Sequence, residues 1–263
     1  MVSARVDDVP EVAIEVTDLT KRFGDVVAVR GVSLRVPHGI VFGLVGPNGA
    51  GKSTTVKMLT TLTPPTSGSA RVAGFDVRRS PVEVRRRIGY VPQMQSADPD
   101  LTGFENLLVY ARLYALPRAN RRRKILDALH LMDLGDVRDR LVRHYSGGMV
   151  RRLEIAQSLL NEPRVLFMDE PTIGLDPLAR HMVWERIKHL RAGLGTAIFM
   201  TTHYMDEAAE LCDRVAFMSE GKIAGEESPS DIEARYGTGM MLDDLFIRYT
   251  GGNMLVEERA AAP

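Results

Sequence analysis

The segment Gly46-Pro47-Asn48-Gly49-Ala50-Gly51-Lys52-Ser53-Thr54 limits what this chain can fold into more than any other part of it. It fits G-x-x-x-x-G-K-[ST], follows an apolar run at residues 40–45 and opens a stretch of helical spacing. Glycines let a backbone wrap closely enough for successive N–H groups to meet phosphate oxygens, and a helix N-terminus adds partial positive charge. In such a loop Lys52 neutralises β- and γ-phosphate charge and Ser53 reaches a Mg²⁺ ion. From average composition, a chance match in a chain of this length is on the order of one in a hundred. The strand–loop–helix context lowers that further.

A second element, Val165-Leu166-Phe167-Met168-Asp169-Glu170, has the pattern of a buried strand ending in two acids. Beside a phosphate loop, Asp169 is placed to support Mg²⁺ through water, and Glu170 to polarise an attacking water as general base. Short apolar runs at 12–16, 40–45, 88–91, 165–168 and 197–200 read as strands, the last three buried on both faces. Helical spacing covers 52–62, 104–116, 121–131, 149–160 and 177–190. This alternation predicts an α/β domain with a largely parallel sheet. From about 97 to 160 helices occur without a convincing strand, which predicts a helical subdomain inserted into the core; residues 256–263 read as a frayed tail.

Lys plus Arg number 34 and Asp plus Glu 34, so the net charge is zero and no global basic field for nucleic acid exists. Arg85-Arg86-Arg87 and Arg121-Arg122-Arg123-Lys124, without interleaved aromatics, read as solvated helix faces. The single cysteine, Cys212, forms no internal disulfide and suits the cytosol better than secretion. No run approaches the roughly 18 apolar residues of a spanning helix. Residues 1–15, broken by Arg5, Asp7, Asp8, Pro10 and Glu11, lack the apolar core of a signal peptide. Work at a membrane therefore requires a spanning part on another chain. His130, His144, His181 and His189 have no metal-ligand spacing with Cys212, and Trp184 sits at helical spacing with Ile187 as a packing residue.

Tyr145-Ser146-Gly147-Gly148-Met149 precedes an amphipathic pattern with Leu153, Ala156 and Leu160 on one stripe and Arg151 and Arg152 on the expected exposed side. Ser146 is a good N-cap, and the glycines leave the first N–H groups accessible. One chain thus carries two helix starts suited to phosphate, of which only the first has a lysine and magnesium groups. A simple explanation is that the second closes over a nucleotide held by another subunit.

At this point the chain resembles the ATP-binding subunits of ABC transporters over roughly residues 12–250. The phosphate loop matches Walker A; Gln93, in Gly89-Tyr90-Val91-Pro92-Gln93, matches the Q-loop; Ser146-Gly147-Gly148 matches the signature. Residues 165–169, with Glu170 following, match Walker B; Gly174-Leu175-Asp176 matches the D-loop, and His203 in Thr201-Thr202-His203 the switch histidine. The resemblance implies a phosphate-loop NTPase core with an antiparallel β subdomain and an inserted helical subdomain. It implies an ATP-binding domain over 12–236 followed by a C-terminal helix and tail over 237–263. It further implies that Glu170, His203, Lys52 and Gln93 carry catalysis and that Ser53, Gln93 and Asp169 hold Mg²⁺. ATP would lie between residues 46–54, Gln93, Asp169, Glu170 and His203 of one copy and Ser146, Gly147 and Gly148 of a second, with Asp176 joining the two sites. Two departures stand out. Met149 replaces the signature glutamine and loses its side-chain hydrogen bonds, and Phe23 replaces the adenine-stacking tyrosine while keeping the flat ring.

Tyr145–Met149 followed by Arg151-Arg152-Leu153-Glu154-Ile155-Ala156, together with Thr172-Ile173-Gly174-Leu175-Asp176-Pro177 and Leu242-Asp243-Asp244-Leu245-Phe246, is similar to the daunorubicin-resistance branch. That branch implies an exporter, drug or antibiotic efflux among its uses, in which a homodimer formed on ATP drives a separate ABC-2 type membrane permease from the cytoplasmic face of the cell membrane. The rival from another class is a soluble ABC-type ATPase of DNA repair or translation, typically marked by a long coiled-coil insertion or two linked ATP domains. This chain has one phosphate loop and no long heptad insert.

Overall fold

The computed structural model describes residues 12–251. The stretch 256–263, read as a frayed tail, lies outside the described residues. In chain order the elements are β1 (Val12–Phe23), β2 (Val26–Pro37), β3 (Val41–Val45), α1 (Lys52–Leu59), β4 (Ser67–Val72), β5 (Phe75–Asp76), α2 (Pro81–Arg85) and β6 (Ile88–Val91). Then come α3 (Gly103–Leu113), α4 (Arg118–Leu131), α5 (Gly147–Leu159), β7 (Val165–Asp169), α6 (Pro177–Leu194), β8 (Ala197–Thr202) and α7 (Met205–Leu211). The hairpin β9 (Arg214–Ser219) and β10 (Lys222–Glu227) and the helices α8 (Ile232–Tyr236) and α9 (Leu242–Thr250) complete the described chain.

The central sheet has the order β10-β9-β3-β8-β7-β6, with all neighbours parallel except the β9–β10 hairpin. Its inner strands β3, β8 and β7 are buried at every position because both faces are covered, and alternate residues serve different cores. Val41, Val45, Leu166, Met168, Ile198, Met200, Val215 and Phe217 join the core built with α3 to α9. Phe42, Leu44, Val165, Phe167, Ala197, Phe199, Ala216 and Met218 join the core built with α1 and the antiparallel sheet. That second sheet, β2-β1-β4-β5, is the antiparallel β layer the resemblance implies.

Residue-level reading finds only the first five residues of β1 and none of β2, β4, β5, β9 or β10. β1, β2, β4 and β10 mix buried with exposed positions and lack the continuous apolar run that marks β3, β7 and β8, whereas β9 has such a run, Val215 to Met218, fully buried and missed by that reading. Of the three strands expected to be buried on both faces, β7 and β8 are; β6 is the sheet edge and leaves Tyr90 partly exposed.

Between β6 and β7 the chain forms α3, α4 and α5 and one isolated bridge, Thr102 to Leu141. α3 starts on a capping box in which Thr102 accepts from the Glu105 amide and the Glu105 carboxylate accepts from the Thr102 amide. The amphipathic expectation for α5 fails: 11 of its 13 residues are buried, so it has no solvent face. Arg151 and Arg152, expected outside, are 4% and 5% exposed. They fit because backbone carbonyls receive them. Arg151 donates to the oxygens of Pro92 (2.7 Å) and Gln93 (3.1 Å), Arg152 to those of Met132 (3.0 Å) and Asp133 (3.3 Å). Arg151 also pairs with Glu154 at 3.0 Å. The basic runs are only partly solvated helix faces: Arg86 and Arg87 lie just past α2 and pair with Glu83, Arg123 pairs with Asp127 on α4, and Arg87, Arg121 and Lys124 are partly buried.

Phe199 lies between Phe42 (5.5 Å between centroids) and Phe167 (5.6 Å) under the sheet and is fully buried. Phe199→Ala is expected to cost roughly 3–5 kcal/mol by removing apolar contact and leaving a cavity. Urea denaturation of both proteins measures it.

Candidate functional site

Three parallel neighbours, β3, β8 and β7, end side by side, and each hands its next residues to the same place. The crevice beyond the carboxyl ends of such strands is where open α/β sheets bind ligands. After β3 the chain turns through residues 46–51 into α1. Gly46 has to be glycine, because a Cβ there would lie 2.1 Å from the Met218 carbonyl oxygen. Gly51 has to be glycine twice over: its φ is 105°, and a Cβ would meet the Ala28 oxygen at 2.5 Å. The first N–H groups of α1 have no partner within the helix.

The resulting cavity, about 220 Å³, is lined by residues 47–54 with Ala28, Gln93 and Glu170. Lys52 is buried at its edge and donates to the carbonyls of Gly46 (2.7 Å) and Pro47 (3.1 Å). Its Nζ lies 3.0 Å from Glu170 Oε1, and the other Glu170 oxygen lies 2.8 Å from His203 Nδ1. A carboxylate only accepts, so Nδ1 carries the hydrogen. Burial pushes the Glu170 carboxyl up, but the bond from His203 and the charge of Lys52 outweigh it and hold the acid below its usual range.

Ser53 donates to Asp169 Oδ1 at 3.0 Å, and Thr201 donates to the same oxygen at 2.6 Å. The Glu170 amide in turn donates to the Thr201 hydroxyl (3.0 Å) and carbonyl (3.1 Å). Glu170 itself adopts φ 51°, an unusual conformation for a non-glycine residue that these bonds enforce. Thr201 thus fixes both acids. Nothing in the sequence separates its hydroxyl from that of any strand threonine, so spacing alone does not find it.

The remaining expected site residues lie elsewhere. Phe23 ends β1, half exposed, with Lys21 Nζ 4.9 Å from its ring centroid, and does not line the cavity. Ser146 caps α5, accepting from the Met149 amide at 3.3 Å, and is exposed; neither it nor Gly147 nor Gly148 lines the cavity. Gly148 has a packing reason as well, since a Cβ would lie 2.9 Å from that of Ala179 on α6. Asp176 is exposed and caps α6 through the Ala179 amide at 2.9 Å. The chain therefore gathers Lys52, Ser53, Gln93, Asp169, Glu170 and His203 about the phosphate loop and keeps the signature apart. The donor set, a hydroxyl, a carboxylate and an amide, is the hard-oxygen chemistry that suits Mg²⁺.

The sequence pattern of the ABC transporter family matches residues 29–173, more than half of the chain. The daunorubicin/doxorubicin resistance ATP-binding protein of Streptomyces peucetius is 45% identical over 232 residues, 88% of this chain and 70% of that protein. The Nod factor export ATP-binding protein I of Paraburkholderia xenovorans is 44% identical over 225 residues, 86% of this chain and 74% of its own. A solved ATP-binding subunit of an ABC transporter superimposes with a TM-score of 0.78 at 31% identity, covering 90% of this chain and 99% of the other. A dimeric ATP-binding cassette holding ADP and Pi after hydrolysis does so with a TM-score of 0.73 at 26% identity, covering 82% and 98%. The protein is a phosphate-loop ATPase. It belongs to the ABC transporter family, as one of its ATP-binding subunits.

The lowered Glu170 carboxyl sets a pH dependence. Its folded value lies below the ordinary 4.5, so the stability it contributes is complete above that value and is lost as pH falls through the folded one. Glu170→Gln lacks this contribution at every pH. The stability gap between wild type and Glu170→Gln is expected to narrow as pH drops below about 4.5, measured by urea denaturation at pH 7 and at pH 4.

Proposed function

We propose that this chain is the ATP-hydrolysing subunit of an exporter, acting as two identical copies on the cytoplasmic face of a membrane beneath a separate permease of the ABC-2 type. The observation that carries the reading is the contact of Glu170 with both Lys52 and His203 at the mouth of the phosphate loop. Two relatives named for drug resistance and for Nod factor export support the direction of transport. Their names refer to different chemistry, which fits cargo recognition residing in the membrane protein. Drug or antibiotic efflux is the branch's reading. Among the described residues no helix is long and apolar enough to cross a membrane.

In this reading the backbone of residues 46–54 and the Lys52 ammonium hold the ATP phosphates, and Phe23 stacks on adenine. Ser53, Gln93 and Asp169 would hold Mg²⁺, which supplies positive charge to the β- and γ-phosphate oxygens. Glu170 accepts the proton of the water that adds to the γ-phosphorus as the bond to ADP breaks. His203 contacts the γ-phosphate. Ser146 and the amides of Gly147 and Gly148 of a second copy complete the cradle, and Asp176 lies where the two copies meet. The absence of these signature groups from the chain's own cavity supports completion in trans. An ATP-binding domain over 12–236, its helical subdomain over about 97–160, and a C-terminal helix beyond it complete the proposed organisation.

Two outcomes check this. Lys52→Ala is expected to weaken Mg·ATP binding and to leave almost no turnover; a fluorescent ATP analogue and a phosphate-release assay read the two effects. Glu170→Gln keeps the cradle but cannot take the proton, so turnover should fall roughly 10²–10⁴-fold while ATP now traps a dimer visible by gel filtration. Adding Ser146→Arg should abolish that dimer. A dimer that survives Ser146→Arg rules out closure by the signature.

A further inference from the structure

Glu207 stands one turn beyond His203 on α7 and is completely buried. A buried glutamate is costly unless it is bonded, and its bonds show what it is for. One oxygen, Oε1, accepts from the Thr172 hydroxyl at 2.6 Å and from the Trp184 indole Nε1 at 2.9 Å. Thr172 lies two residues after Glu170, in the segment that leads to Asp176, and is itself fully buried. Trp184 is on α6, the helix that Asp176 caps. Glu207 thus joins three pieces: the helix following the histidine, the segment following the general base, and the helix beginning at the proposed dimer-facing loop, which also meets the first through the surface pairs Arg180–Asp206 and Lys188–Glu210.

This placement answers a mechanical question. Glu170 and His203 follow the ends of β7 and β8 and touch each other at 2.8 Å. Strand pairing reaches Asp169 opposite Thr201 and Thr202 opposite Val45, and the Thr201 hydroxyl and carbonyl hold the Glu170 amide, but no strand pairing holds the residues after Glu170 or His203 itself. Beyond that register both chains leave the sheet, and Glu170 does so at φ 51°. A second tie on the far side of each departing segment is needed to hold the two side chains in one geometry. The Thr172–Glu207 bond is that tie. The packing role read for Trp184 from the sequence is therefore incomplete: its ring packs, and its N–H also braces the same carboxyl group.

Resting on the reading of Glu170 as base and His203 as its partner, we propose that Glu207 is a positioning residue for hydrolysis, which through Thr172 and Trp184 keeps Glu170 and His203 at their working separation. It does not line the phosphate-loop cavity. Its loss should therefore lower turnover while leaving the phosphate loop, and so ATP affinity, alone. Misplacing a catalytic group by about 1 Å costs up to about 10²-fold, and loss of one of two bonds should cost less.

The experiment measures ATP affinity and turnover for Thr172→Val, Thr172→Ser, Glu207→Ala and Glu207→Gln in the full chain. Thr172→Val removes only the hydroxyl donor in a volume-matched side chain, so it remains informative if Glu207→Ala fails to fold. Burial raises the Glu207 carboxyl above its ordinary value, which makes the neutral, nearly isosteric Gln its closest substitute, with an oxygen still able to accept. The expected result is a turnover about tenfold lower for Thr172→Val, with ATP affinity within about twofold of wild type, and return toward wild-type turnover in Thr172→Ser and Glu207→Gln. Wild-type turnover in Thr172→Val overturns the proposal. So does a loss of affinity in step with turnover, which marks a general packing defect. Glu170→Gln, run in parallel, separates the two readings. If it hydrolyses at the wild-type rate, the assignment of the base has failed. If it is inactive while Thr172→Val is not, only the role of Glu207 has.

Discussion

Lys52 and Glu170 are each about 5% exposed at the side chain and meet at 3.0 Å. Removing either charge from water alone would cost several kcal/mol, so neither could stand there without the other. Their remaining valences are also met, Lys52 by two loop carbonyls and Glu170 by His203. This pair exists only if the residues after β3, β7 and β8 arrive together. That in turn requires the order β3-β8-β7 in the sheet. Phosphate loop, acid and histidine are far apart in sequence and are made neighbours by parallel pairing, whose long crossovers supply the helices on one face while α1 and the antiparallel sheet cover the other. The core residues under the sheet, Phe42, Phe167 and Phe199 among them, serve the site by keeping those three ends level.

The same logic explains why the signature groups Ser146, Gly147 and Gly148, proposed to meet phosphate, lie elsewhere. α5 is buried along its length but begins at the surface, where Ser146 is exposed. It is held against α6 by the close approach of Gly148 to Ala179, and α6 likewise begins at the surface with Asp176. Two helix starts, one able to bind an anion and one capped by an acid, are thus presented side by side and outward. Neither faces the chain's own cavity.

What could be read from the sequence was whatever has a short-range signature. The phosphate loop, the two acids of residues 169 and 170, and the apolar strands beneath them are contiguous patterns with a direct physical reading, and the structure places them together. The half-exposed strands β2, β4 and β10 were not legible residue by residue, because alternation over a few positions is weak beside a continuous apolar run. Arg151 and Arg152 were misread for a different reason. A charged residue on a helix is normally outside, and only tertiary structure reveals that carbonyls of Pro92, Gln93, Met132 and Asp133 await them. Thr201 and Glu207 were invisible on the same ground, since their importance lies in partners 31 to 35 residues away.

Those misread arginines also link the cavity to the helices between β6 and β7. Gln93 lies at the cavity edge, and its carbonyl and that of Pro92 are both held by Arg151 of α5. One residue on, Arg152 grips the carbonyls that follow α4. A guanidinium fixed by two carbonyls and, for Arg151, by Glu154 has little freedom to let one partner slide while the other stays. A shift of the Gln93 backbone therefore loads α5 directly, and through Arg152 it loads the end of α4. The exposed start of α5, with Ser146, moves with that same helix. The Gln93 backbone at the cavity edge and the exposed Ser146 are in this way tied to one rigid helix, the first through Arg151 and the second as its cap, and the burial of both arginines makes that helix rigid.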